Sequence, residues 1–256
     1  MRRATLVGVA VGLVAASLGA GASTSGAAPV AVLAAPTTTG LILNYRFDND
    51  TGVVARDSST KVINGTYVNT TAAAARSTGP PGQSRAIRLV GASHQYVAVP
   101  ERTAIDLDRF TLAAFVNPTG VENDQTGGRW EVLEKAGAYW MNLRTDGHLR
   151  VGGFFGGCTN PAWTYLDSTV TIPYNTWTHV AGTYNGSVLR IFVNGVRAGS
   201  LAVSGTTCHN DRPLAVGAKN FPAEGLLEAF WDGQLDDVRL YRRALTDAEI
   251  RGLVAG

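Results

Sequence analysis

Charge is scarce in this chain. Of 256 residues only 16% are charged, with 22 Lys and Arg against 20 Asp and Glu. An average soluble domain carries about 25%. Disorder needs high charge and few apolar residues, so at 45% hydrophobic the chain is not a disordered one. Lysine is rarer still, with Lys61, Lys135 and Lys219 only, and the arginines are scattered. A nucleic-acid partner would want them clustered. Neither a Gly triplet repeat nor a heptad run is present, which excludes collagen and coiled coil. No Gly-x-Ser-x-Gly occurs, and the four histidines lack the spacing of a metal pair. What is abundant is glycine, at 30 residues. Weak charge, many glycines and interspersed aromatics favour short strands joined by tight turns.

The first residues read as an address rather than as fold. Arg2 and Arg3 precede an apolar run from Ala4 to Leu18, and small residues at Ala20-Gly21-Ala22 suit cleavage. The run is short of the ~20 residues that a spanning helix needs. Residues 1–22 are therefore expected to be a signal peptide, with cleavage as late as 34 as the alternative, and 23–39 a flexible leader rich in Ala, Pro, Thr and Ser. The expected location is secreted, with no membrane span after processing. Removing Arg2 and Arg3 from the 22 basic residues leaves a formal charge of zero against 20 acidic ones. That balance points to neutral partners such as polysaccharides. In an oxidising compartment Cys158 and Cys208 are expected to form a disulfide. The alternatives are a free nucleophile or a metal thiolate, although Cys208-His209 has no second Cys nearby for zinc.

From residue 40 to 256 nothing divides the chain, and one all-β domain is expected. Leu41–Phe47, Phe110–Val116, Trp130–Lys135 and Tyr139–Arg144 carry strand patterns, and Thr145-Asp146-Gly147 turns the last into His148–Phe155. Asn185-Gly186 and Asn194-Gly195 bracket Val188–Val193 and predict two tight hairpins. Leu189, Ile191 and Val193 should face one way, and Val188, Arg190 and Phe192 the other. A capping box at Thr246–Glu249 starts one short C-terminal helix with Ile250, Leu253 and Val254 on its apolar side.

Four stretches carry a resemblance: Phe110-Thr111-Leu112, Trp177–Tyr184, Phe192-Val193-Asn194-Gly195, and Asp232–Tyr241 with Arg243-Ala244-Leu245-Thr246. Together they resemble the laminin G-like jelly-roll domains of the concanavalin A-like lectin and glucanase superfamily. The resemblance implies a jelly-roll sandwich of two antiparallel sheets with first and last strands adjacent. Phe115 stands where many relatives carry Trp, a change expected to affect packing alone. The resemblance also implies a structural calcium near the seam of first and last strands. Asp48 and Asp236 are its expected ligands, with Asn49, Asp57 and Asp237 as further candidates. The alternative is that Asp48 caps a turn and Asp236 bonds backbone or Arg239.

This superfold hosts binding modules and enzymes alike, so the sites must decide. A glycosidase needs two carboxylates on one face. Glu131 and Glu134 are three apart and so are expected on opposite faces of a strand. Asp106 and Asp108 sit in a bend before Phe110, and the Glu-x-Asp-x-x-Glu motif of the glucanase relatives is absent. No catalytic residue is assigned. His179, in mid-strand, reads as a structural residue. Sugar rings stack on exposed aromatics while nearby amides and acids bond their hydroxyls. The aromatic segment 154–165, expected as a loop tied by the disulfide, suits this, with Trp163, Tyr165 and Asn160 as expected ligand-binding residues beside Asp167. Trp130 and Trp231 are lesser candidates, and one of Tyr139 and Trp140 should point outward. The expected function is thus a secreted, non-catalytic, lectin-like module for a glycan or other extracellular polymer. The alternatives are an adhesion module for a cell-surface protein, and a polysaccharide-active hydrolase or lyase.

Overall fold

The computed structural model describes residues 36–119, 129–159 and 163–255. The expected signal peptide, most of the leader, and Asn160 lie outside the described residues. In chain order the first half holds β1 (Leu41–Tyr45), β2 (Val54–Ala55), β3 (Gly65–Val68), the single turn α1 (Ala72–Ala75), β4 (Arg76–Ser77), β5 (Ala86–Leu89), β6 (Tyr96–Val99), β7 (Phe110–Pro118) and β8 (Arg129–Lys135). There follow β9 (Tyr139–Arg144), β10 (His148–Phe154), β11 (Trp163–Thr171), β12 (Thr178–Tyr184), β13 (Val188–Val193) and β14 (Val196–Ala202). The chain ends with β15 (Leu214–Val216), β16 (Lys219–Phe221), β17 (Leu226–Glu228), β18 (Gly233–Tyr241) and α2 (Asp247–Val254).

Two antiparallel sheets of eight strands form the sandwich. One runs β14-β13-β12-β7-β18-β5-β4, with β1 also paired to β18; the other runs β11-β10-β9-β8-β15-β6-β3-β2. A separate hairpin joins β16 to β17. First and last strands are adjacent as expected, with Asn44 opposite Arg239 and Tyr45 opposite Val238.

Local chemistry explains the order. At Asn185-Gly186 the Asn185 side chain accepts from the backbone N–H groups of Ser187 and Val188. Asn194 and Gly195, at φ 48° and 77°, supply the left-handed pair that a tight β13–β14 hairpin requires. Alternation then sorts the side chains. Leu189 and Ile191 enter the inter-sheet core, while Phe192 goes to the opposite face of its sheet. There it meets Ala181, Tyr241, Leu245, Ile250 and Leu253 under α2. The helix starts on the expected capping box, Thr246 and Glu249 bonding each other's backbone N–H.

Trp231 and Trp130 both belong to the central core, at 0% and 3% exposure. Neither can serve as a sugar platform, which corrects their reading as lesser candidates. Tyr139 also enters the core, where its hydroxyl donates to the Ile105 carbonyl. Trp140, its neighbour, faces out of the sheet. On that outer face Tyr96, Ala215, Ala218 and Phe230 close one end over β6 and β15. The stretch across β8 to β11 instead carries a cavity and the exposed Trp163 and Tyr165.

Cys158 and Cys208 form a disulfide between the segment after β10 and the one before β15. It closes a loop of 50 residues, which the loop-entropy account rates at about 4 kcal/mol. Replacing both cysteines by serine should lower the melting temperature by roughly 10 °C, and thermal denaturation with and without reductant measures it.

Candidate functional site

The register of four strands builds the site. β8 pairs with β9, β9 with β10, and β10 with β11. Following partners across the outer face gives one row of Glu134, Trp140, Gly152 and Tyr165. A second row holds Glu131, Asn142, Arg150 and Asp167. Phe154 lies opposite Trp163 at the end of β11. From these rows Glu131, Glu134, Trp140, Asn142 and Arg150, with Phe154 and Trp163, line a cavity of about 280 Å³, closed on its other side by Arg129, Lys219 and Phe221.

Glu131 and Glu134 share a face, contrary to the expectation from their spacing. The β8–β9 register shifts between Glu131 and Leu133. Val132 is the additional residue, a β-bulge that resets the alternation. The physical cause is burial: Val132 and Leu133 both enter the core, at 0% and 1% exposure. Two adjacent apolar residues drawn inward leave both flanking glutamates outward. The Glu-Val-Leu-Glu order in the sequence carries that signal.

Both carboxyls are nine-tenths buried or more, at 1% and 5% exposure. Glu131 accepts from the Asn142 amide at 3.0 Å and lies 3.5 Å from the Arg129 guanidinium. Burial pushes its pKa up to about 7, against the pull of Arg129, Asn142 and Lys219. Glu134 is raised well above the usual carboxylate range, first by burial and then by the charge of Glu131. Three acceptor atoms of this group, Glu131 Oε2, Glu134 Oε2 and Asn142 Oδ1, are buried without a hydrogen-bond partner among the described residues.

Aromatic rings make the wall. Trp163 is 61% exposed and Tyr165 39%, two residues apart on the edge strand β11 and so on one face. Their ring centroids are 5.6 Å apart, and Trp163 lies 6.1 Å from Trp140. Trp140 in turn meets Phe154 edge-on at 5.7 Å. Arg150 stacks over Tyr165 at 3.6 Å, its guanidinium held by Asp167 at 2.6 and 2.8 Å. A Cβ at Gly152 would overlap the Trp140 indole, so glycine is what lets that ring lie across β10. On the far rim Glu228 binds both Arg129 and Lys219 at 2.9 Å.

At the seam of first and last strands the expected metal ligands have different partners. Asp236 is fully buried; its Oδ1 accepts from the Asp237 N–H and its Oδ2 has no partner among the described residues. Burial, with Asp237 and Asp48 adding charge, pushes its pKa up to about 8. Asp48 accepts from the Ser84 hydroxyl and lies 3.3 Å from Arg46. Asp57 is not available as a ligand. Its oxygens accept from the backbone of Asn44, Ser59 and Ile63 and from the Ser59 hydroxyl. Asp237 is likewise taken, by a buried pair with Arg239 at 2.7 Å. No group of three or more His, Cys, Asp and Glu suited to a metal occurs among the described residues.

The remaining candidates are structural. His179 is buried against the edge of Phe115, and burial, aided by Arg239, lowers its pKa to about 3. Asp106 lies 3.3 Å from the buried Lys135, and Asp108 pairs with His209 at 3.1 Å.

The raised carboxyls set a pH dependence. A carboxyl whose native pKa exceeds its unfolded value favours the protonated native state. For Glu131 that contribution is complete below about 4.5 and is lost as pH rises through about 7. Stability should therefore fall from about pH 4.5 through about pH 7, the interval between those pKa values. Glu134→Gln should flatten the fall and raise the melting temperature at pH 8, as melts across that range would show.

The sequence matches the family model of the concanavalin A-like lectin/glucanases superfamily over residues 91–251. No curated protein matches it. Among solved structures it is similar to the binding domain of Paraclostridial Mosquitocidal Protein 1, with a TM-score of 0.63 at 18% identity. That match covers 85% of this chain and 52% of the other. Domain 4 of the arabinanase AbnA from Geobacillus stearothermophilus gives 0.60 at 20% identity, covering 84% of this chain and 98% of that domain. The binding domain of Botulinum Neurotoxin DC gives 0.59 at 12% identity, over 86% and 51%. The chain thus spans about half the length of the toxin binding domains and nearly all of the arabinanase domain. With its two antiparallel sheets and this family match, the chain belongs to the concanavalin A-like lectin/glucanases superfamily.

Proposed function

We propose that this chain is a secreted, non-catalytic carbohydrate-binding module whose ligand lies across the open outer face of β8 to β11. The observation that carries the reading is Trp163 and Tyr165, exposed on one face of β11 and leading to a cavity walled by Trp140 and Phe154. Exposed indole and phenol rings present apolar faces to sugar C–H groups, and Arg150, Asn142 and the glutamates offer polar contacts within one sugar's reach. Domain 4 of AbnA was solved in complex with arabinotriose, and the Botulinum Neurotoxin DC binding domain in complex with SialylT. Carbohydrate ligands are therefore compatible with this fold. Export through the signal peptide at 1–22 accords with the disulfide. No helix among the described residues is long and apolar enough to cross a membrane.

Calcium is part of the proposal. Asp236 Oδ2, an orphaned buried oxygen, and the neighbouring Asp48 suit a hard cation as two of its ligands. The ion would neutralise the carboxylates at the junction of β1 and β18 and stiffen that seam.

A hydrolytic role is the second reading, favoured by one observation: Glu131 and Glu134 share a face within the cavity. A glycosidase acting through them needs Glu131 ionised and in reach of the anomeric carbon. At 1% exposure, with Asn142 and Arg129 upon it, Glu131 is placed to anchor rather than to attack.

The tests are direct. Trp163→Ala should weaken binding on a glycan array by at least about tenfold, equivalent to about 1.4 kcal/mol, and Gly152→Ala should do the same by displacing Trp140. Blank arrays with and without calcium would end the lectin reading. Calcium should raise the melting temperature by roughly 5 °C at saturation, and Asp236→Asn should abolish the rise. An unchanged melt in chelator would remove the ion from the proposal. Reducing-end assays on bound polysaccharides should stay at background; release that Glu131→Gln eliminates would establish the hydrolase instead.

A further inference from the structure

The cavity floor has an unusual polarity. Its unfilled buried atoms, Glu131 Oε2, Glu134 Oε2 and Asn142 Oδ1, are all acceptors. A sugar hydroxyl brings one donor and two lone pairs that themselves need donors. A primary ammonium brings three donors and no acceptor. The donor count of an ammonium thus matches the floor one for one.

Charge leads to the same chemistry. On β8 itself the pair is faced by Arg129; from β10 comes Arg150, from β11 Asp167, from β16 Lys219 and from β17 Glu228. Arg144, 3.9 Å from Asp167, is already paired with Asp146. Arg129 and Lys219 share Glu228, and Arg150 is held by Asp167. With Glu131 and Glu134 ionised, these three cations face four carboxylates. The fourth carboxylate can therefore ionise only when a further cation fills the gap at the floor, since burial and the charge of Glu131 otherwise raise Glu134 well above the usual carboxylate range. Around the gap stand the indoles of Trp140 and Trp163 and the ring of Phe221, which attract a cation on their faces and cover the apolar face of a sugar ring.

We propose that the cavity takes a glycan bearing a free primary amine, with the ammonium seated between Glu131 and Glu134 and the sugar ring against Trp140 and Trp163. This rests on the carbohydrate-binding reading and narrows it to de-N-acetylated amino sugars. N-acetylation would remove the charge and two of the donors and add a carbonyl beside three unpartnered buried atoms that are themselves acceptors.

Titration calorimetry on the full chain tests it, using the tetramer of β-1,4-linked glucosamine and its fully N-acetylated counterpart, with a neutral arabinan oligomer as third probe. The free-amine tetramer should bind at least about tenfold tighter than the other two. Glu131→Gln and Glu134→Gln should each bring that preference below about threefold. Their melts at pH 8 should equal or exceed the parent's, showing that they fold. Equal or better binding of the acetylated or neutral oligomer, still lost in Trp163→Ala, would overturn the amine inference and leave the glycan reading standing. A preference for the amine that survives both glutamine variants would also overturn it, locating the attraction elsewhere on the surface. No binding of any of the three by the parent would overturn both readings together.

Discussion

The inward pull on Val132 and Leu133 is the constraint from which the surface of this protein follows. A regular strand sends neighbours to opposite faces, yet these two enter the same core. Satisfying both requires a bulge, and the bulge turns Glu131 and Glu134 outward together. An apolar requirement inside the sandwich thereby fixes an acidic pair outside it. The pair then dictates its surroundings: Asn142 from the next strand bonds one carboxylate, Arg129 approaches it, and Glu228 restrains Arg129 and Lys219. Desolvation raises both pKa values, at Glu131 against the pull of Arg129 and at Glu134 with the charge of Glu131 added.

A second constraint is subtractive. Gly152 occupies the position between Trp140 and Tyr165 in the crosswise row. Any side chain there would occupy the space of the Trp140 indole. The platform therefore depends on one residue having nothing to contribute. The disulfide at Cys158–Cys208 lies in the segment between β10 and β11, close in sequence to Trp163. Strand register holds one end of the platform and a covalent bridge limits the travel of the other.

Much of the sandwich was legible from residue order. The two Asn-Gly pairs, the Asp-Gly turn and the Thr246 capping box each specify a backbone geometry that few other sequences satisfy. For Trp163 and Tyr165 the sequence suggested exposed aromatics in a loop, whereas they stand two apart on the edge strand β11. The acidic pair escapes a reading by strict alternation, and only the adjacent apolar Val132 and Leu133 between the two glutamates mark the bulge. Trp130 and Trp231 misled for a related reason: a tryptophan beside a polar loop looks exposed until the opposing sheet is in place. Asp57 misled differently. Its oxygens are consumed by backbone donors brought from Asn44 and Ile63, a tertiary arrangement with no mark in the local sequence.

The adjacency of β1 and β18 has an architectural consequence. Both strands lie in the sheet that α2 covers, whereas the aromatic face belongs to the other sheet. The folded unit is therefore entered and left through its back. Pro36 and Thr37 meet Val254 and Ala255 in one cavity there, so both ends of the described residues lie together on the sheet that does not carry the aromatic face.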